Sequence, residues 1–150
     1  VYKKAFPNLS HTELCDDLAK QKQGVDRVLY LANGNVLYVD EKKRERDYPD
    51  ILLEYVSADT YRTPGWMEKD LAMDYLAYAF MPSQRCYLFP WPILRRAWLL
   101  NKQAWIGSYK TVRGENRGYT TLSVAIPKLV LRQAVSQAAI IDVSGELNHG

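Results

Sequence analysis

Gly24-Val25-Asp26-Arg27-Val28-Leu29-Tyr30-Leu31, the turn around Asn33-Gly34, and Val36-Leu37-Tyr38-Val39-Asp40-Glu41-Lys42-Lys43-Arg44 read as two β-strands folded back on one another. Valine, leucine and tyrosine dominate both runs, as suits a pleated, half-buried surface. Asn-Gly tolerates the positive φ that a tight hairpin turn demands. Side chains alternate along a strand, so Asp40 and Lys42 share one face while Glu41 takes the other. With Asn33-Gly34 at the turn, Asp26 falls roughly opposite Asp40 to Lys42. Two carboxylates and a lysine then converge at one end of the hairpin.

The chain around this hairpin divides into short elements. Ser10-His11-Thr12-Glu13 fits a capping box and predicts a helix from about Ser10 to Gln23, ended by Gly24. Ile51 to Ser57 is a third strand after the break at Pro49. Asp74 to Phe80 and Arg85 to Phe89 form a second hairpin, turning at Met81-Pro82-Ser83 and ended by Pro90 and Pro92. A short helix from Pro92 to about Asn101 follows, in which Ile93, Leu94, Ala97 and Trp98 share a face. Tyr119 to Ile126 is a further strand, and Pro127 suits the first turn of a helix reaching Gln137. A last strand is expected over Ile140 to Val143. The predicted order is α-β-β-β, then β-β-α-β-α, an α+β (α/β) arrangement with a central mixed sheet flanked by helices.

The 150 residues suit a single domain spanning the chain, with 47% hydrophobic and 25% charged residues as in soluble globular proteins. No apolar run approaches the roughly 20 residues that span a bilayer, and no charged-then-apolar leader opens the sequence, so a cytoplasmic protein is expected. Cys15, Cys86, His11 and His149 fit neither a zinc site nor a disulfide framework. The net charge of +3 is too small for nonspecific coating of DNA. Basic residues do cluster at Lys42-Lys43-Arg44 with Arg46, at Arg95-Arg96, and around Lys110, Arg113 and Arg117, as phosphate-binding stripes or as ordinary solvated surface.

The converging carboxylates and lysine suit phosphodiester hydrolysis. Mg²⁺ is usually held by one or two carboxylates together with waters and a substrate phosphate. It polarises a phosphoryl oxygen and lowers the pKa of a bound water, while a lysine orients that water or offsets developing charge. Mn²⁺ can serve in its place. Most of the eleven tyrosines and four tryptophans fall in periodic apolar segments and are read as core. Trp66, after Pro64-Gly65 in an expected loop, is the aromatic best suited to contact a substrate.

On the residues just quoted, the hairpin resembles the core of the PD-(D/E)xK nuclease superfamily, in which an aspartate opens one strand and an acidic-x-lysine triplet lies on the next. The resemblance covers about residues 10 to 57. It implies a restriction-endonuclease-like fold and metal-dependent cleavage of DNA in phage, restriction, recombination or repair work. Metal binding is implied for Asp26 and Asp40, and a catalytic role for Asp26, Asp40 and Lys42. Family members often add a glutamate from the first helix, for which Glu13 is the candidate; its capping-box role is the other explanation. Lys43 and Arg44 join Trp66 as candidate substrate contacts, and a homodimer is an expectation because many relatives cut two strands as dimers. Val25 stands where the family pattern has proline. A bulge that turned Glu41 inward would make it the ligand instead of Asp40. Glu54, Asp17 and Asp74 are weaker candidates. A catalytically silent nucleic-acid-binding module and an assembly protein of unrelated α+β fold are the competing readings.

Overall fold

The computed structural model describes residues 1–140, and the hairpin is its organising element. Strands β2 (Arg27–Leu31) and β3 (Val36–Arg44) pair antiparallel without a shift from Arg27↔Val39 to Tyr30↔Val36. The connection is a three-residue loop rather than a two-residue one: the Leu31 amide donates to the Asn35 carbonyl at 2.9 Å, and Gly34 carries the positive φ of 88°. Its extra residue sets the register, and continuing the ladder puts Asp26 opposite Asp40.

The expected helix over Ser10 to Gln23 does not form as one element. After a short helix α1 (Tyr2–Ala5), Leu9–Leu14 is strand β1, paired antiparallel to β2, and only Leu18–Lys22 is helical, as α2. Asp17, not Ser10, caps α2; its Oδ1 accepts from the amides of Ala19 and Lys20 at 2.9 and 3.3 Å. The capping-box spelling at Ser10 loses because β2 has a free edge there, and pairing it satisfies a row of backbone groups that a helix would leave unpaired.

Strands β4 (Asp50–Ala58), β5 (Thr63–Pro64), β6 (Tyr75–Phe80) and β7 (Arg85–Pro90) precede helix α3 (Trp91–Ser108). The hairpin of β8 (Thr111–Asn116) and β9 (Tyr119–Pro127) then leads into α4 (Lys128–Ala138). The architecture is α+β. One sheet has the order β1-β2-β3-β6-β7, with β3 and β6 parallel and every other pair antiparallel; the other is antiparallel, β5-β4-β9-β8. The second sheet corrects the expected single central sheet. The strand over Ile51 to Ser57 exists, but pairs with β9 instead of extending the first hairpin. Helix α3 outruns its expected end at Asn101, whose side chain bonds back to the Ala97 carbonyl at 2.8 Å while Trp105 extends the buried stripe of Leu94, Ala97 and Trp98. The strand expected over Ile140 to Val143 lies, beyond Ile140, outside the described residues.

Alternation along β3 and β6 divides the first sheet into two faces. Leu29, Val39 and Ala77 are buried on one face, against Tyr2 and Phe6 at the α1 end. On the other, Leu76, Tyr78 and Phe80 join the main core with Ile51 and Leu53 of β4, Trp98 of α3 and Leu131 of α4. Burying each such side chain contributes about 1.5–3 kcal/mol. Asp40 and Lys42 lie on this second face. Among the described residues, no helix is long and apolar enough to cross a membrane.

Candidate active site

Asp26 stands at the foot of β2, held by its backbone. Its amide donates to the Val39 carbonyl at 2.9 Å, and its carbonyl accepts from the Cys15 amide at 2.8 Å. Gly24, with φ +79°, turns the chain out of α2 just before it, and Val25 is fully buried. The Asp26 carboxylate then reaches the partner strand, where Oδ2 accepts from the Glu41 amide at 2.8 Å. Asp40 is only 2% exposed, and its carboxyl neighbours that of Asp26, each perturbing the other's titration.

The two carboxyls form an unequal pair. Burial, reinforced by the hydrogen bond that a protonated Asp40 gives to the Asp26 carboxylate and only partly offset by the Lys42 ammonium, pushes Asp40 up to about 7. Burial raises Asp26 as well, but its hydrogen bonds with Asp40 and the Glu41 amide, together with the Lys42 charge, hold it below the usual carboxylate value. The two carboxyls titrate as a coupled pair, in which burial makes Asp40 the member that holds its proton to higher pH. Lys42 Nζ lies 3.0 Å from Asp40 Oδ2, close enough for an ion pair but outside hydrogen-bond alignment, leaving that buried oxygen without a hydrogen-bond partner. Its one close partner is that ammonium, so the oxygen keeps acceptor capacity that a bound cation could use.

Glu41 points the other way, as alternation predicts. It accepts from Arg27 Nε at 2.6 Å and from the Tyr2 hydroxyl at 2.5 Å, and the β3–β6 register runs unbroken past it, so no bulge turns it toward Asp26. Lys43 shares that far face and is exposed, away from the carboxyl pair. Arg44 returns to the near face but is engaged there: it pairs with Asp50 at 3.6 Å, donates to the Tyr78 hydroxyl at 3.2 Å and stacks over Tyr48. Glu13 is exposed on β1, where it accepts from the Tyr30 hydroxyl at 3.2 Å and does not line the cleft around Asp40. Asp74 accepts the Tyr38 amide and serves the sheet.

A cleft of about 250 Å³ opens beside Asp40 and Lys42, with Glu54, Trp66, Lys69 and Lys22 in its walls. Trp66 is not in an irregular loop but begins a 3₁₀ turn, Trp66–Glu68; its half-buried ring packs near Trp91 and lies 5.4 Å from the Lys42 ammonium. Glu54 comes from the second sheet. Between Asp50 and Glu54 the outer edge of β4 faces β3 and β6: Asp50 meets Arg44, the Leu52 amide donates to the Tyr78 hydroxyl at 3.1 Å, and Glu54 comes next, in the cleft with Lys42. Burial raises the Glu54 carboxyl, partly countered by the Trp66 amide and the Lys42 and Lys69 charges. Lys69 and Lys22 were not singled out by sequence, since nothing local distinguishes them from other surface lysines.

Among the described residues, no group of three or more histidine, cysteine, aspartate or glutamate side chains is arranged to hold a metal. Two carboxylates, one with an unpartnered oxygen, still match the donor set of Mg²⁺, which takes one or two carboxylates and fills its remaining positions with water and phosphate. No protein-family model matches the chain, and no curated protein or solved structure matches it.

Proposed function

We propose that this chain is a Mg²⁺- or Mn²⁺-dependent nuclease that hydrolyses DNA phosphodiester bonds, working as the PD-(D/E)xK enzymes its hairpin resembles. The observation that carries this reading is the pairing of Asp26 and Asp40 across one hairpin, with Lys42 3.0 Å from a buried carboxylate oxygen that has no hydrogen-bond partner. A hairpin end kept only for solubility has no reason to bury a carboxyl at such cost.

Asp26 and Asp40 would hold the cation. Once bound, the metal supplies polarisation of the phosphoryl oxygen and a water of lowered pKa. The chain's own residues do the rest. The Glu41 amide keeps Asp26 ionised and oriented, and Asp40 would release any bound proton to solvent on serving as a ligand. Lys42, partly exposed beside Asp40, offers its ammonium to a phosphate oxygen whose negative charge grows as the bond breaks.

The decisive test is cleavage of labelled linear, supercoiled, single-stranded and branched DNA with Mg²⁺, Mn²⁺ or chelator, comparing wild type with Asp40→Ala. Metal-dependent cutting by the wild type alone supports the reading. DNA binding without cutting of any substrate assigns the chain instead to a silent nucleic-acid-binding module. Absence of both leaves the hairpin a structural element.

A further inference from the structure

Three features of the second sheet converge on the cleft, although the Asp26–Asp40 pair does not require them. The pairing of β4 with β9 slips between Glu54 and Val56, a bulge of the kind that re-aims a side chain. Gly65 packs directly on that bulge: a Cβ there would lie 2.4 Å from the Glu54 carbonyl oxygen and 2.7 Å from the Tyr55 nitrogen, so only glycine permits the approach. Gly65 also donates its amide to the Tyr55 carbonyl at 2.9 Å, and the next amide, of Trp66, favours the ionised Glu54 carboxylate. The 3₁₀ turn that follows is pinned at its far end, where Arg95 Nε donates to the Lys69 carbonyl at 3.0 Å and Lys102 bonds Glu68 at 3.2 Å.

This scaffold sets Lys69 in the wall of the cleft that Lys42 also lines. Lys69 has no carboxylate within ion-pair distance among the described residues, and with Lys22 and Lys42 it gives the cleft three ammonium groups. Against them stand Glu54 and the Asp26–Asp40 pair. Lysines gathered around one cleft, Lys69 among them without an ion-pair carboxylate, suit a phosphate diester.

We propose that Lys69 is a phosphate-binding residue, gripping the backbone of a nucleic-acid strand beside the Asp26–Asp40 pair, with Glu54, Gly65 and Trp66 as the clamp that positions it. The proposal rests on a nucleic acid being the substrate. It does not require that the strand be cut.

The test is fluorescence anisotropy with two labelled duplexes of unrelated sequence, in chelator, over a series of salt concentrations. Lys69→Met, which keeps the apolar stem, should weaken both duplexes equally, by about tenfold at low salt for one lost charge-assisted contact. It should also reduce the slope of log K against log salt by about one counterion. Lys69→Arg should retain binding, and Arg132→Ala, an exposed cation of α4 outside the cleft, should leave it unchanged. Thermal melts check that each variant is folded. If Lys69→Met is folded and binds with wild-type affinity and slope, the proposal is overturned while the nuclease reading stands. If the wild type binds DNA and loses affinity through Lys69→Met yet cuts nothing, the nuclease reading falls and this one stands. A wild type that binds no DNA at low salt overturns this proposal, and the nuclease reading then stands or falls on cleavage with Mg²⁺ or Mn²⁺.

Discussion

Replacing Asp40 by asparagine in the metal-free protein should raise its stability, and only above acidic pH. The carboxyl is 2% exposed and is pushed from an ordinary value of 3.8 to about 7, chiefly by burial. An acid whose value is raised on folding binds its proton more tightly in the native state. Its contribution is therefore fully present below about pH 4, declines as pH rises through the window to about 7, and is gone above it. That difference corresponds to a ceiling of about 4 kcal/mol. The ion pair with Lys42 and relaxation around the charge reduce it, so about 2 kcal/mol is the working figure at pH 8, or roughly 4–8 °C in melting temperature for a chain of this size. Asp26 does not obscure the window, because a carboxyl lowered on folding loses its contribution at the acid end, through its folded value. The assay is thermal melting in chelator at pH 4, 6 and 8, wild type against Asp40→Asn. The two curves should nearly coincide at pH 4 and diverge as pH rises. An Asp40→Asn variant less stable than wild type at pH 8, or a difference independent of pH, would refute the idea that this carboxylate is held at a cost. Mg²⁺ at a hundredfold excess over its Kd should then raise the wild type by about 2.7 kcal/mol and leave the variant unmoved.

Gly65→Ala should cost about 1–3 kcal/mol, because the new methyl meets the fixed backbone of Glu54 and Tyr55, and tryptophan fluorescence should report movement of Trp66; an unchanged urea midpoint would contradict the close approach. Tyr78→Phe removes the hydroxyl that accepts from Leu52 of one sheet and Arg44 of the other, and should cost about 1–3 kcal/mol by chemical denaturation. Asp17→Ala should cost about 1 kcal/mol as a lost helix cap, whereas Ser10→Ala, on an exposed strand position, should stay within about 0.5 kcal/mol; the reverse order would restore the longer helix.

The first hairpin shows what the sequence by itself determined. Alternation over three residues is a property of the extended backbone, so Asp40 and Lys42 had to share a face and Glu41 had to leave it wherever β3 was placed. Asn33-Gly34 announced the reversal and put Asp26 roughly opposite Asp40 to Lys42; the folded three-residue loop, with Gly34 in the left-handed conformation, then fixed Asp40 as the partner. The strands Tyr75–Phe80 and Arg85–Pro90 and the helix behind Pro127 were legible for the same reason, because turn chemistry and side-chain period act within a few residues.

Tertiary structure decided the rest. Ser10 to Glu13 spell a helix start, but the free edge of β2 claims them, and no local preference records that an unpaired edge lies beside them in space. Ile51 to Ser57 read correctly as a strand, yet its partner β9 lies some seventy residues on, so its departure into a second sheet could not be read from its own residues. The cleft follows from that departure. Glu54, Trp66 and Lys69 face Asp40 only because the second sheet packs against the first, and the requirement for glycine at position 65 arises from a backbone contact that exists only once they meet. Local geometry determined which groups share a strand face; the packing of two sheets determined what stands across from them.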